Sequence, residues 1–70
     1  MKRLRYFSIK NMENEEDAEK VKKILGDLEG ILKIEADLDA QAIEVEYEDE
    51  KVTKEMMAKV LQYHGYLMGI

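Results

Sequence analysis

The 70-residue sequence contains no cysteine, no proline and no tryptophan. Without cysteine there is no disulfide to staple a small fold. There is also no thiolate for a soft metal, an iron–sulfur cluster or nucleophilic catalysis. A chain of this size lies where a single core is marginal, so packing, hydrogen bonds or association must hold it. Long apolar runs are missing too. No window approaches the roughly 18 apolar residues of a membrane span. Met1-Lys2-Arg3 is not followed by the apolar stretch of a signal peptide. A cytoplasmic location with no membrane partner is the expectation. Basic charge is scarce: 11 Lys and Arg stand against 16 Asp and Glu, a net charge of −5. The basic cluster Lys2, Arg3 and Arg5 reads as charge guarding a strand edge. It is not the basic stripe of a nucleic-acid binder, and no such partner is expected.

What is present is a balance of 46% hydrophobic and 39% charged residues. That balance suits one soluble globular domain over residues 1–70 and is too apolar for a disordered chain. Met1 and an end at the last predicted strand point to a whole protein more than to an excised module.

Apolar periodicity divides the chain into six elements. Arg3 to Ile9 reads as a strand, with Phe7 and Ile9 on one face and Leu4, Tyr6 and Ser8 on the other. A polar loop, Lys10 to Asn14, carries one methionine, Met12. Asn14 caps a helix whose first turn holds Glu15, Glu16 and Asp17, where the helix dipole favours negative charge. The apolar positions Ala18, Val21, Ile24 or Leu25, and Leu28 extend that helix to about Leu28. Lys20, Lys22 and Lys23 occupy its other face, and Glu16–Lys20 and Glu19–Lys23 are spaced as i,i+4 pairs. Gly30 follows and can take a left-handed conformation. Ile31 to Leu38 is a strand with Ile34, Ala36 and Leu38 alternating. Asp39-Ala40-Gln41 turns into a second strand where Ile43, Val45 and Tyr47 alternate with Glu44, Glu46 and Glu48. Thr53 caps a second helix, with Glu55 in its first turn. Its stripe is Met56 or Met57, Val60 and Leu61, with His64 a further position. Gly65 closes it, and Tyr66 to Ile70 forms the last strand. The order β-α-β-β-α-β is the split βαβ, or ferredoxin-like, α+β arrangement: a four-stranded antiparallel sheet with two helices on one face.

At Ile9-Lys10-Asn11-Met12 the sequence resembles the heavy-metal-associated domain family, which includes bacterial copper chaperones and N-terminal modules of metal-transporting ATPases. The family's first loop usually reads Val-x-Gly-Met-x-Cys-x-x-Cys. Ile9 and Met12 stand at the Val and Met positions, and Asn11 replaces the glycine. Leu28-Glu29-Gly30-Ile31 is similar to the family's Leu-x-Gly-Val. Ile34 to Leu38 and Ile43 to Tyr47 resemble its second and third strands. Val52-Thr53 and His64-Gly65-Tyr66 stand where its second helix opens and closes. The likeness runs without gaps from about Phe7 to Met68. It implies the ferredoxin-like fold. It also places the two family cysteines on Asn14 and Asp17, so the site is degenerate. An amide and a carboxylate do not replace thiolates for soft Cu(I). The resemblance therefore implies the fold without the transfer activity, and no cofactor.

Several residues remain as candidates. Met12 is a soft thioether in the site loop, which the resemblance places beneath the site. Glu13, Glu15, Glu16, Asp17 and Glu19 gather hard oxygen ligands, but without a calcium-loop pattern. His64 is the single histidine, near the site by resemblance, without thiolate companions. Met12, Glu13, Asp17 and His64 are thus the weak metal candidates, and Met12 and Tyr66 the interface candidates. Leu4, Tyr6, Tyr63 and Leu67 are candidates for an exposed apolar patch, and the edge strands offer docking by strand addition. No nucleophile–base pair supports catalysis, since Ser8 lies on a strand with no base beside it. The expectation is a non-enzymatic interaction module with an unknown protein partner, related to metal transport through the resemblance, a homodimer being one form of it. The alternative is a metal-binding protein with a carboxylate and histidine site.

Overall fold

The structure, a computed structural model, describes residues 1–69. Its elements are β1 (Lys2–Lys10), α1 (Glu15–Gly26), β2 (Ile31–Asp37), β3 (Ala42–Glu48), α2 (Lys54–Tyr63) and β4 (Leu67–Met68). The alternation in β3 sets the layers. Ile43, Val45 and Tyr47 are buried, and the residues between them turn to the opposite face. Phe7 and Ile9 of β1 point the same way, as do the half-buried Ile34 and Ala36 of β2. The strands run in the order β2-β3-β1-β4, every neighbouring pair antiparallel. This is the ferredoxin-like arrangement the periodicity predicts.

Both helices cover the apolar face. Ala18, Val21 and Leu25 of α1, and Met57 and Leu61 of α2, meet the strand residues in one cluster. Of the two adjacent methionines, Met57 is buried and Met56 is 47% exposed. Val52 is fully buried just before α2. Both helices have side-chain N-caps. Asn14 accepts the Asp17 N–H and Thr53 accepts the Met56 N–H, each three residues on.

The structure corrects several boundaries and pairings. α1 ends at Gly26, with Asp27 as its C-cap, so Leu28 lies in the turn beyond it. Its side chain still packs, half-buried, against the core. Strand β4 holds only Leu67 and Met68. Tyr66 precedes it because its ring turns into the interior, and the expected extension to Ile70 lies outside the described residues. His64 does not join the apolar stripe: it is the exposed C-cap of α2. Neither i,i+4 pair on α1 forms an ion pair among the described residues. Lys22 instead reaches Glu19 at 3.3 Å, one residue closer along the helix. A register shift between Ile31 and Lys33 leaves Leu32 outside the alternation and half exposed.

Gly30 sits at φ 101° between α1 and β2, and a Cβ there would stand 2.8 Å from the Lys51 Cβ and 3.0 Å from Val52 Cγ1. Gly26 meets no such obstacle. Gly30→Ala is therefore expected to cost at least about 1–2 kcal/mol in denaturant unfolding, from the left-handed backbone alone. Gly26→Ala, at the last residue of α1, is expected to gain up to about 0.5 kcal/mol in the same measurement, the low end of the value for a mid-helix glycine.

Candidate functional site

The loop between β1 and α1 is tied down from several sides. Asn11 lies at φ 75°, in the left-handed region that asparagine tolerates better than most residues. That conformation explains how asparagine can stand at the family's glycine position. The side chain also adds a contact that glycine lacks. Its Nδ2 donates to the Gly65 carbonyl at 3.0 Å, fastening the loop to the segment between α2 and β4. Met12 is fully buried beneath the loop. Its carbonyl accepts from Gln41 Nε2 at 3.2 Å, which adds a tie to the β2–β3 turn.

Asn14 and Asp17, where the resemblance leads one to expect the cysteines, close the loop. Asn14 has extended backbone at φ −146°, and its Oδ1 accepts the Asp17 N–H at 2.8 Å. Asp17 reaches back: Oδ2 accepts the Glu13 N–H at 3.0 Å. This is a reciprocal cap, a close variant of the capping box. The other oxygen, Oδ1, accepts the Tyr66 hydroxyl at 2.8 Å. Tyr66 is 6% exposed, so its ring is core and its hydroxyl is the tether. The Glu13 N–H, then the Tyr66 hydroxyl, hold the Asp17 carboxyl below the usual carboxylate range. Burial first, and the Asp17 carboxylate second, push the Tyr66 hydroxyl up to about 12.

The remaining metal candidates do not assemble around this point. Glu13 is exposed, with its backbone rather than its carboxylate engaged. His64 Nδ1 lies 3.0 Å from the Val60 carbonyl, so that nitrogen carries the proton in the contact. Its ring stands edge-on to Tyr63, centroids 5.4 Å apart. Among the described residues, no three His, Asp or Glu side chains converge as a ligand set. The donor chemistry does not fit a soft metal. Asn14 and Asp17 offer an amide oxygen and a carboxylate rather than thiolates, and both are already accepting hydrogen bonds.

The interface candidates separate. Met12 has no exposed surface and Tyr66 very little. Leu4, Tyr6 and Leu67, at 60%, 72% and 48% exposure, share the sheet face away from the helices. Tyr63 ends α2 in the helix layer, so the four do not share one face. Sequence reasoning missed the Asp17–Tyr66 bond and the Gln41 tie, since nothing local marks residues 49 and 29 apart as neighbours. Asn11 did carry a signal: an asparagine at a glycine position often marks positive φ.

A four-stranded antiparallel sheet under two helices, with its first loop closed against the α2–β4 segment, defines a ferredoxin-like domain. The chain belongs to the heavy-metal-associated domain family, whose description matches residues 6–66. No curated protein matches it by sequence. Its fold is similar to that of oxidized MerP from Ralstonia metallidurans CH34, with a TM-score of 0.93 at 20% identity, covering 99% of this chain and 96% of that one. It is also similar to the CopZ metallochaperone, with a TM-score of 0.89 at 20% identity over 94% and 98% of the two chains. The N-terminal domain of a potential copper-translocating P-type ATPase from Bacillus subtilis, in its Cu(I)-loaded state, gives a TM-score of 0.93 at 20% identity over 100% and 88%.

The Asp17–Tyr66 bond has consequences for stability. Tyr66→Phe is expected to cost about 1.5 kcal/mol, the low end for a hydrogen bond to a charged group because this one is only partly buried. Combined with Asp17→Asn, it should lose less than the sum of the two singles, because both remove the same bond. Since the folded Asp17 pKa lies below its unfolded value, its stabilisation is complete above about pH 4 and disappears as pH falls through the folded value. Unfolding curves of the wild type and Asp17→Asn should therefore converge in acid and separate at neutral pH.

Proposed function

We propose that this chain is a non-enzymatic protein-interaction domain, keeping the heavy-metal-associated scaffold without a thiolate site. One observation carries the reading. The oxygens at the two family cysteine positions are consumed by the Asp17 N–H, the Glu13 N–H and the Tyr66 hydroxyl. Those contacts serve the loop itself rather than a cargo. Exposed Leu4, Tyr6 and Leu67 supply apolar surface for a partner. The setting is metal transport in the cytoplasm, by likeness to a domain of a potential copper-translocating ATPase. No helix of the described residues is long and apolar enough to cross a membrane. The partner is another protein, a second copy of this chain included.

Titration with Cu(I), Zn²⁺ and Ca²⁺, followed by ¹⁵N NMR, tests the reading. The expected result is no saturable, localised shift at Glu13, Asp17 or His64 at about tens of micromolar, the range of a functional site. Saturable shifts confined to those residues would overturn it in favour of a carboxylate and histidine metal site.

A further inference from the structure

The two helices leave a groove of about 500 Å³ between them, walled by residues that lie between Lys20 and Tyr66. Its floor is apolar. Ile24 and Leu28 on the α1 side and Val60 on α2 are half-buried against the core, and their remaining surface lines the groove. Lys20, Lys23 and Asp27 stand three and four residues apart beside Ile24, so one side of α1 raises a charged rim above that floor. The far end is closed where the start of α1 meets the end of α2. There the Tyr66 hydroxyl is spent on Asp17, and the His64 Nδ1 lies against the Val60 carbonyl. Both rings serve as wall. An apolar lining with a few polar groups, in a space of roughly 300–1,000 Å³, is the usual build of a small-molecule site. Two turns of an α-helix, about 10 Å wide and 11 Å long, take up more room than this groove offers.

The rim selects the charge of the occupant. Lys20 and Lys23 are three residues apart, where like charges on a helix repel. Among the described residues neither has an ion-pair partner. The nearby acids are engaged elsewhere. Glu19 is taken by Lys22 at 3.3 Å, and the two Asp17 oxygens accept the Glu13 N–H and the Tyr66 hydroxyl. Lys20 lies in the field of Asp17 without pairing with it. The one carboxylate that lines the groove, Asp27, stands at the C-cap of α1, a turn beyond Lys23. A chain of net charge −5 thus places two unpaired ammonium groups beside an apolar floor. A neutral apolar molecule leaves them repelling each other, and a cation adds to the repulsion. An anion set between them relieves it.

We propose that the groove between α1 and α2 binds a small organic acid with an apolar body, a medium-chain or aryl carboxylate free in solution. Its carboxylate lies between the Lys20 and Lys23 ammonium groups. Its apolar body covers Ile24, Leu28 and Val60. The site goes beyond the interaction reading above and does not depend on it, since the exposed leucines and tyrosine of that reading lie on the opposite face of the sheet.

The test titrates the full chain with octanoate, followed by ¹³C-methyl and ¹⁵N spectra. Octyltrimethylammonium, 1-octanol and acetate are the controls. Octanoate is expected to give saturable shifts at the Ile24, Leu28 and Val60 methyls, with a Kd of about 1 mM or tighter. Octyltrimethylammonium should bind at least about tenfold more weakly, and binding of octanoate should weaken with salt. Replacing both exposed lysines, as Lys20→Gln with Lys23→Gln, should lower octanoate affinity about fivefold or more and leave octanol unchanged. Glutamine keeps helix propensity close to that of lysine, so the double variant should fold. Absence of saturable shifts at about 5 mM octanoate overturns the proposal, as does equal binding of the octyl cation. Acetate binding as well as octanoate reduces the site to surface lysines that take any anion, and overturns it. Octanoate shifts confined to Leu4, Tyr6 and Leu67 overturn the groove in favour of the open sheet face. Unchanged octanoate affinity in the double variant overturns the role of the rim. Concentration-dependent shifts of the groove methyls in free protein overturn the proposal in favour of a second copy.

Discussion

The carboxylate of Asp17 joins three parts of the chain at one point: the start of α1, the loop before it through the Glu13 N–H, and the segment before β4 through the Tyr66 hydroxyl. Hydrogen bonds to an ionised acceptor are stronger than neutral ones, and the first turn of a helix is where a negative charge is most favoured. Both effects act on the same group. The cap on α1 and the closure of the loop are therefore one structure.

That fastening also bears on where the chain enters the sheet. Tyr66 turns inward to reach Asp17, so the chain enters the sheet only at Leu67. Among the described residues β4 pairs with β1 only at Ile9 and Lys10. The loop is rigid for further reasons: Met12 is packed beneath it, Gln41 holds its carbonyl, and Asn11 ties it to Gly65.

Charge is sorted across the sheet in the same uneven way. Glu44, Glu46 and Glu48 share the open face with Glu35, and Glu35 lies directly across from Glu44. Such a like-charge pair is unfavourable, and only Lys33 opposite Glu46 offsets it along β2. Arginines 3 and 5 lie on the other face, where Arg3 and the N-terminal amine hold the Asp49 carboxyl below its usual range. The net acidity of the chain therefore hides a cationic margin, which composition averages away.

The element order, the buried alternation of β3, both N-caps and the missing thiolates were legible in the sequence, because each depends on residues within a few positions of one another. The choice of Met57 over Met56, the early end of α1 and the exposure of His64 were decided by packing, which periodicity narrows only to a residue or two. The role of Asp17 divides between the two levels. Its neighbours alone mark it as a first-turn acid. Its bond to Tyr66 required the fold to bring together residues 49 positions apart.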